Sequence, residues 1–479
     1  MFNNLAKKFY LIAITCCLSA YVVFFSIAEN YKALFIPLLI PLGYFLLQKP
    51  KLIAYLFLLS SVRFLGFIDI EDFMNLPGLF KFDDLLFLAL ISIYFFDVLQ
   101  RGLQFHKDNY AVRSIAYIVL LFIAMVVVQF VFTSIHYDLP IVSTLKVGRG
   151  FLYLLFYFYL LRFFFDSSSS RKLFRFIATL CIIQFIMMLL QISGLNFTKS
   201  TTVIELASDN VSVTRVYLTA YFFALLTFFV SVSLLLNKCD QSSRRLLLLI
   251  VIFSLSSIIL SYTRTYWMAM LIGLIIIFVM SESRVKKNVV YYLCLGFTLF
   301  SPFLLMQSDS FIFERFISIF QEVGSDEGNF IYRFSENPQR LEAFIDNPVF
   351  GPGFVHSNYA TTLFNFNINE QGLSESQIQR ALLLQTNDSG LITLLVSFGL
   401  VGVFWVLYKF VVLFRLFLIV TGLDDNARAI IIGNISFITA VWLTCTTTYG
   451  FTYPDGIVAL ALSLFFISSC MKHKESMEL

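Results

Sequence analysis

Charged residues are scarce in this sequence, since Asp, Glu, Lys and Arg together make up 13% of its 479 residues. A soluble protein carries about 25% of them, so too little polar surface remains to cover a water-soluble globule. Hydrophobic residues account for 59% of the chain and the mean hydropathy is +0.83. Lipid must therefore cover most of the surface, and the composition predicts a membrane protein.

Motifs for metal binding, nucleotide binding and hydrolysis are also absent from the sequence. The seven cysteines lie mostly within apolar runs and form no CxxC pair, which argues against a zinc site or a disulfide framework. There is no P-loop, HExxH or GxSxG motif. We therefore expect no metal and no cofactor, and the small net charge of +4 gives no reason to expect a nucleic-acid partner. Any catalysis has to use a substrate that is already activated.

What the sequence has in abundance is apolar runs of about 20 residues, the length that crosses a bilayer as a helix. About 14 such spans are predicted, near residues 9–28, 32–48, 51–68, 84–100, 112–133, 141–164, 172–194, 215–236, 245–261, 265–281, 288–306, 389–418, 428–447 and 453–471. The predicted fold is an all-α polytopic membrane protein. It divides into spans over 1–307, a hydrophilic cap over 308–388, and three further spans over 389–479.

The distribution of Lys and Arg sets the expected orientation, because loops on the cytoplasmic side are enriched in them. With the N-terminus inside, every inside loop is basic and most of the 34 Lys and Arg residues fall on that side, Lys409 among them. An even number of spans then places both termini in the cytoplasm and the cap outside. We expect the cap to be ordered, with helices near Phe311–Val323 and Arg333–Ile345 and a turn at Gly351-Pro352-Gly353.

The few cations left on the outer side require an explanation. Arg63, Lys146, Arg149, Arg215 and Arg264 come from four different predicted elements, with Lys146 and Arg149 in the same span, yet share one depth near the outer surface. A cation within the membrane is expensive and marks a functional site by default, and Arg binds phosphate oxygens through two parallel hydrogen bonds. The set suits a lipid-linked phosphate or pyrophosphate. The alternative for each residue is a structural salt bridge or snorkelling to the interface.

Two residues of the cap region are candidates for a general base. His356 follows the Gly-Pro-Gly turn, and imidazole titrates near neutral pH. Asp388 lies immediately before the predicted span 389–418. The alternatives are an exposed loop histidine for His356 and a helix cap for Asp388.

Several segments, in this order along the chain, resemble motifs of the O-antigen polymerase and O-antigen ligase superfamily. The stretch Leu260–Met268, which contains Arg264, resembles the superfamily's Thr-x-Ser-Arg turn, and Arg333–Phe354 resembles its cap motif of an Arg, an amphipathic helix and a G-x-G turn. The segment from Thr386 to Gly402 resembles the start of the span after the cap. Thr386 stands where ligases carry the His of an His-Asn pair, which weakens the resemblance to ligases.

The resemblance implies a membrane-embedded glycosyltransferase of the GT-C type in the bacterial inner membrane, with its active site facing the periplasm. Its donor would be a glycan on undecaprenyl pyrophosphate, bound among membrane lipids, and a chain-length regulator protein is a possible partner. The resemblance implies that the pyrophosphate is bound by Arg264, Arg333 and Arg215, and that the base is Asp388 or His356. Further substrate contacts are expected from Arg340, Arg149, Arg63 and Tyr266.

Three functions remain open from the sequence. The first is a polymerase that joins lipid-linked repeat units into a surface polysaccharide such as an O-antigen, capsule or exopolysaccharide. The second is a ligase that transfers a finished glycan to a lipid or protein acceptor. The third is a transporter of lipid-linked oligosaccharides, which the scarcity of charge in the inner halves of the spans argues against.

Overall fold

The computed structural model describes residues 48–66, 81–102, 109–193, 195, 203–208, 211–216, 220–236, 241–261, 263–282, 286–287, 338–364, 384–385, 389–419, 424–445 and 450–475. The chain divides into two compact units, Met1–Leu56 and Phe57–Leu479. The first unit is described only where its last residues begin a helix. All contacts discussed below belong to the second unit.

The described elements are helices, apart from one short hairpin. In chain order they are α1 Pro50–Ser61, a 3-10 turn Arg63–Gly66, α2 Phe82–Arg101, α3 Tyr110–His136, α4 Ile141–Gly148, a 3-10 helix Arg149–Leu155, α5 Phe156–Phe163, α6 Ser167–Ile192, β1 Val203–Ser208, β2 Val211–Val216, α7 Tyr221–Leu236, α8 Gln241–Leu260, α9 Arg264–Met280, α10 Pro338–Asp346, α11 Ser357–Phe364, α12 Gly390–Ile419, α13 Asp425–Leu443, a 3-10 turn Gly450–Thr452 and α14 Pro454–Glu475.

Six stretches in the described part of the chain are long and apolar enough to cross a membrane. They are Tyr110–His136, Ile141–Phe163, Ser167–Ile192, Gly390–Ile419, Asp425–Leu443 and Pro454–Met471. The chain is therefore a multi-pass membrane protein. The predicted spans 9–28 and 288–306, the predicted span 32–48 except for its last residue, and the predicted helix Phe311–Val323 lie outside the described residues. The count of about 14 spans, the cap's full extent and the cytoplasmic termini therefore stay predictions.

The placement of Arg215 at the start of a span is wrong. Arg215 lies in β2, where its backbone pairs with Ile204 of the antiparallel strand β1, and the helix that follows begins only at Tyr221. Both strands are rich in Val, Ile and Thr, whose branched side chains favour extended backbone. An apolar run of mixed composition does not reveal where such a strand ends and a helix starts.

Helix α7 lies at the centre of the described bundle, packing against α6, α8, α9, α13 and α14. Its residues from Tyr221 to Ser231 are all buried, as expected of a helix that is apolar around its whole circumference. The buried hydroxyl of Thr227 donates to the carbonyl of Phe223 at 2.8 Å and pairs with Ser254 of α8 at 3.2 Å. Gly433 of α13 faces the backbone of α7, where a Cβ would lie 2.6 Å from Cα of Val230, so the two helices approach closely.

Helix α12 is broken at Gly399, whose backbone adopts φ 59° and ψ −151°. Those angles are accessible essentially to glycine alone. The run predicted at 389–418 is thus confirmed as one apolar helical stretch, but it consists of two helical pieces joined at this residue. The break interrupts the helix's own hydrogen bonds. The backbone amide and carbonyl groups that have no helical partner there form hydrogen bonds with the cap.

Candidate active site

A loop of the cap fills the break in α12. In a continuous helix the amide of Leu400 would bond to the carbonyl of Val396. Here Leu400 N donates to Pro348 O at 2.9 Å, Val401 N donates to Val349 O at 3.2 Å, and Gly353 N donates to Val396 O at 2.9 Å. We call residues 347–356 the clasp loop. The clasp loop therefore satisfies the backbone groups that the break leaves without helical partners.

Two glycines allow this contact. Gly351 has φ 70°, and a Cβ there would lie 2.5 Å from the carbonyl oxygens of Leu395 and Val396. A Cβ on Gly399 would collide with the carbonyl of Val349. The loop and the helix meet backbone to backbone at a distance that no side chain permits. The predicted Gly-Pro-Gly turn is confirmed, and its first glycine, Gly351, makes this contact.

Phe354 anchors the other end of the clasp loop. Its side chain is fully buried among Phe130, Phe151 and Phe398, with ring centroids 5.0 to 5.5 Å away. Its amide donates to Thr133 Oγ1 at 3.0 Å, which fixes the loop to α3. Because the chain is held at Phe354, it enters α11 in a defined position, and His356 lies between the two.

His356 is half-buried and faces Lys146 of α4. Burial and, to a smaller extent, the positive charge of Lys146 lower the pKa of His356 below its usual value of 6.5. A lowered pKa leaves the imidazole neutral at pH 7, so it is able to accept a proton. This property fits the general base that the sequence analysis assigned to His356 or Asp388.

Arg149 begins the 3-10 helix that follows α4, and it forms an ion pair with Asp84 at 2.9 Å. Asp84 is buried at the start of α2, where it also accepts hydrogen bonds from the hydroxyl of Tyr153 at 2.7 Å and from the amide of Lys81 at 2.8 Å. The salt bridge considered for Arg149 is therefore present. The Arg149 side chain keeps 24% of its surface exposed.

Arg63 is exposed and lies in an unusual backbone segment. Arg63, Phe64 and Leu65 all have positive φ, between 48° and 56°. Consecutive non-glycine residues in this region are strained, and such strain clusters at functional sites. Arg63 lies close enough to Asp455 of α14 for the two side chains to interact electrostatically.

Asp455 is a polar residue of this region that the sequence analysis missed. It lies in the first turn of α14, where a carboxylate interacts favourably with the helix dipole. The neighbouring Pro454 packs against Gly150, where a Cβ would lie 2.9 Å from the proline ring. This contact connects the Arg63–Asp455 pair to the segment that begins at Arg149. The position of Asp455 at the start of the last apolar run was the only signal in the sequence.

Arg264 is the first residue of α9, at the turn between α8 and α9 where it was predicted. Tyr266 is buried and stacks on Tyr221 of α7 with the ring planes 15° apart. The adjacent Phe222 stacks at 6.4 Å on Phe451 of the 3-10 turn that precedes α14. Arg264 is thereby linked through packed rings to the end of the bundle that carries Asp455.

The remaining predicted residues are placed as follows. Arg340 is buried in α10, which packs against α12, and its side chain is 2% exposed. Arg215 lies in the hairpin, while Arg333 and Asp388 lie outside the described residues. The capping hydrogen bond at the start of α12 comes from Ser389, whose hydroxyl accepts from the amide of Ile392 at 3.3 Å.

The structure thus brings residues from distant parts of the sequence into one contiguous set, which we call the polar layer. Its members are Arg63, Asp84, Lys146, Arg149, His356 and Asp455. The permanent cations outnumber the two carboxylates, and a histidine with a lowered pKa lies at one side. This arrangement suits binding of a group with several negative charges beside a proton acceptor.

A comparison with protein-family models matched residues 249–407 to the O-antigen ligase family. The matched segment includes Arg264, the clasp loop and the break at Gly399. A search of curated proteins found no match. The matched segment and the helical membrane fold support the resemblance to the O-antigen ligase and polymerase superfamily.

Proposed function

We propose that this protein is a polysaccharide polymerase of the bacterial cytoplasmic membrane. It joins undecaprenyl-pyrophosphate-linked oligosaccharide repeats at the outer leaflet by metal-independent glycosyl transfer. The observation that carries the proposal is the polar layer, which combines exposed and partly exposed cations with a histidine beside Lys146 whose pKa is lowered. The excess of Lys and Arg on the opposite side supports an outward-facing polar layer.

In the proposed reaction a sugar hydroxyl of one repeat attacks the anomeric carbon of another. The new glycosidic bond forms as the bond between the anomeric carbon and the pyrophosphate oxygen breaks, and the lipid pyrophosphate leaves with the electron pair. Arg264, Arg63 and Arg149 stabilise the charge that develops on the leaving group. Arg215, Arg333 and Arg340 are proposed to extend this binding site from the hairpin and the cap.

The proton of the attacking hydroxyl has to be accepted within the site. His356 is the proposed base, because it is neutral at pH 7 and is held by the clasp loop beside Lys146. Asp388, which the sequence analysis named beside it, is the alternative. Tyr266 is proposed to contact the glycan near Arg264.

A ligase is the second candidate, since the matched family is described as an O-antigen ligase. Purified protein in nanodiscs, supplied with lipid-linked repeats alone, separates the functions. A polymerase forms a ladder of longer lipid-linked glycans, whereas a ligase forms a product only after a lipid or protein acceptor is added. Movement of the repeats across the bilayer without any new glycosidic bond would instead indicate a transporter.

The pH dependence of the reaction should report on His356. Because its pKa is lowered, the base is fully available at neutral pH, and the rate should fall only as the pH drops below 6.5 and the imidazole becomes protonated. Lys146→Met removes the positive neighbour, so the pKa should rise and the acid limb of the rate profile should move to higher pH. Lys146→Arg keeps the charge and should leave the limb in place. A profile unchanged by Lys146→Met would contradict His356 as the base.

A further inference from the structure

Lys409 lies in the second piece of α12 and its side chain is completely buried. Four aromatic rings surround its ammonium group, with centroids 4.0 Å (Trp442), 4.5 Å (Phe410), 5.5 Å (Trp405) and 5.8 Å (Phe451) from Nζ. We call these four rings the aromatic box. The charge distribution along the sequence predicts Lys409 in an inside segment, whereas the structure places it in the protein interior.

Stability alone does not account for a lysine at this position. The ring faces attract the ammonium group, but within the described part of the chain Nζ makes no hydrogen bond. A buried cation without an acidic partner is costly, and an apolar side chain of similar shape is often neutral or stabilising in its place. A charged residue inside a membrane-spanning helix is a functional candidate by default.

The aromatic box joins elements that lead to the polar layer. Trp442 lies in the last turn of α13, and Phe451 lies in the 3-10 turn Gly450–Thr452. Trp405 donates its indole N–H to the carbonyl of Ile118 at 2.9 Å, which fixes this side of the box to α3. The 3-10 turn runs directly into the start of α14, where Asp455 lies near Arg63.

The backbone of the 3-10 turn is also closely packed against its neighbours, which restricts its movement. Gly450 has φ 48°, and a Cβ there would lie 2.1 Å from the sulfur of Cys445, while a Cβ at Gly456 would lie 2.2 Å from the carbonyl oxygen of Gly450. An interaction that fixes the position of Phe451 therefore also restricts the backbone that carries Asp455.

We propose that Lys409 is a positioning residue for the polar layer. Its charge, held in the aromatic box, keeps the turn Gly450–Thr452 against α12 and thereby positions the first turn of α14, which carries Asp455. The catalytic readout of this inference rests on the proposed glycosyl transfer.

Two variants test the role of the charge. Lys409→Met keeps the length and apolar stem of the side chain but removes the charge, whereas Lys409→Arg keeps a cation that aromatic rings also attract. In the transfer assay the Met variant should lose at least tenfold in kcat, with the KM for the lipid-linked donor changed less than twofold. The Arg variant should recover most of the lost rate. Thermal unfolding of the Met variant should occur at the wild-type temperature or above it.

A second measurement is independent of catalysis. Hydrogen–deuterium exchange of the full-length protein in nanodiscs should show faster exchange across residues 450–456 in Lys409→Met than in wild type and Lys409→Arg. Exchange in α6, remote from the box, serves as the internal control. Unchanged exchange in the Met variant overturns the inference, as does a drop in its unfolding temperature that accounts for the lost activity. A wild-type protein with no transferase activity but the expected exchange pattern refutes the proposed function and leaves the positioning role standing.

Discussion

Arg264→Ala is expected to lower the rate of glycan transfer by about 100- to 1000-fold while the protein remains inserted and folded. The magnitude is typical for removal of one group that stabilises developing charge in a water-poor site. Arg264 is the first residue of α9 and only half-buried, so its loss should not disturb the packing of α7 and α9. The measurements are product length in cells that lack the native gene and the initial rate with purified protein.

Two further variants make the Arg264 result specific. Arg245→Ala removes an exposed arginine from α8 and should leave chain length unchanged. Arg264→Lys keeps the charge but loses the paired hydrogen bonds that a guanidinium offers to phosphate, so it should restore only part of the rate. Normal chain length in Arg264→Ala would remove this residue from the proposed site.

Gly399→Ala is expected to detach the clasp loop from α12. An added Cβ would collide with the carbonyl of Val349, and it would place a side chain at a backbone conformation reserved for glycine. Loss of the three backbone hydrogen bonds at about 1 kcal/mol each, with about 1 kcal/mol of backbone strain, gives a destabilisation of roughly 4 kcal/mol. Thermal unfolding in detergent and proteolysis within residues 338–364 measure the effect, and transfer activity should fall with them.

Gly102→Ala is the matched control for the clasp. Gly102 has φ 74° and ψ 165°, in the same glycine-only region, but a Cβ there would meet no atom within 4 Å. This variant therefore carries the strain without the collision and should be destabilised by about 1 kcal/mol only. If Gly399→Ala is no worse than Gly102→Ala, the close contact between the clasp loop and α12 is unimportant.

Local features of the fold were predictable because they depend on residues that are close together in the sequence. The apolar run 389–418 corresponds to α12, Arg264 lies at the turn between two helices, and Gly351-Pro352-Gly353 forms a turn with two positive φ angles. The length and composition of the apolar runs and the positions of glycine and proline are enough to predict such features.

Features that depend on contacts between distant segments were not predictable. Nothing in the sequence around Gly399 indicates that the amides after the break bond to carbonyl groups some 50 residues earlier in the chain. The segment was therefore predicted as one helix. Arg215 was assigned to a span because an apolar run does not distinguish the end of a strand from the start of a helix. Lys409 was counted as a loop cation because a charge near the end of a run is normally there to reach water.

In the candidate site, too, the individual residues were predictable from the sequence but the contacts between them were not. The type and position of Arg63, Arg149 and His356 in the sequence were enough to nominate them, but their partners were not. Arg149 pairs with Asp84, and Arg63 lies near Asp455, almost 400 residues further along the chain. Only the folded chain reveals such pairs, and Asp455 entered the site through one of them.

Lipid binding most directly tests the central claim, that the polar layer and Arg264 together bind a lipid-linked pyrophosphate. Purified protein in nanodiscs would be titrated with undecaprenyl pyrophosphate, undecaprenyl monophosphate and undecaprenol, with retention measured by native mass spectrometry. The pyrophosphate should bind at least tenfold more tightly than the other two, and Arg264→Ala should lose most of that preference while still binding undecaprenol as wild type does. Equal affinity of the wild-type protein for all three lipids would contradict the claim.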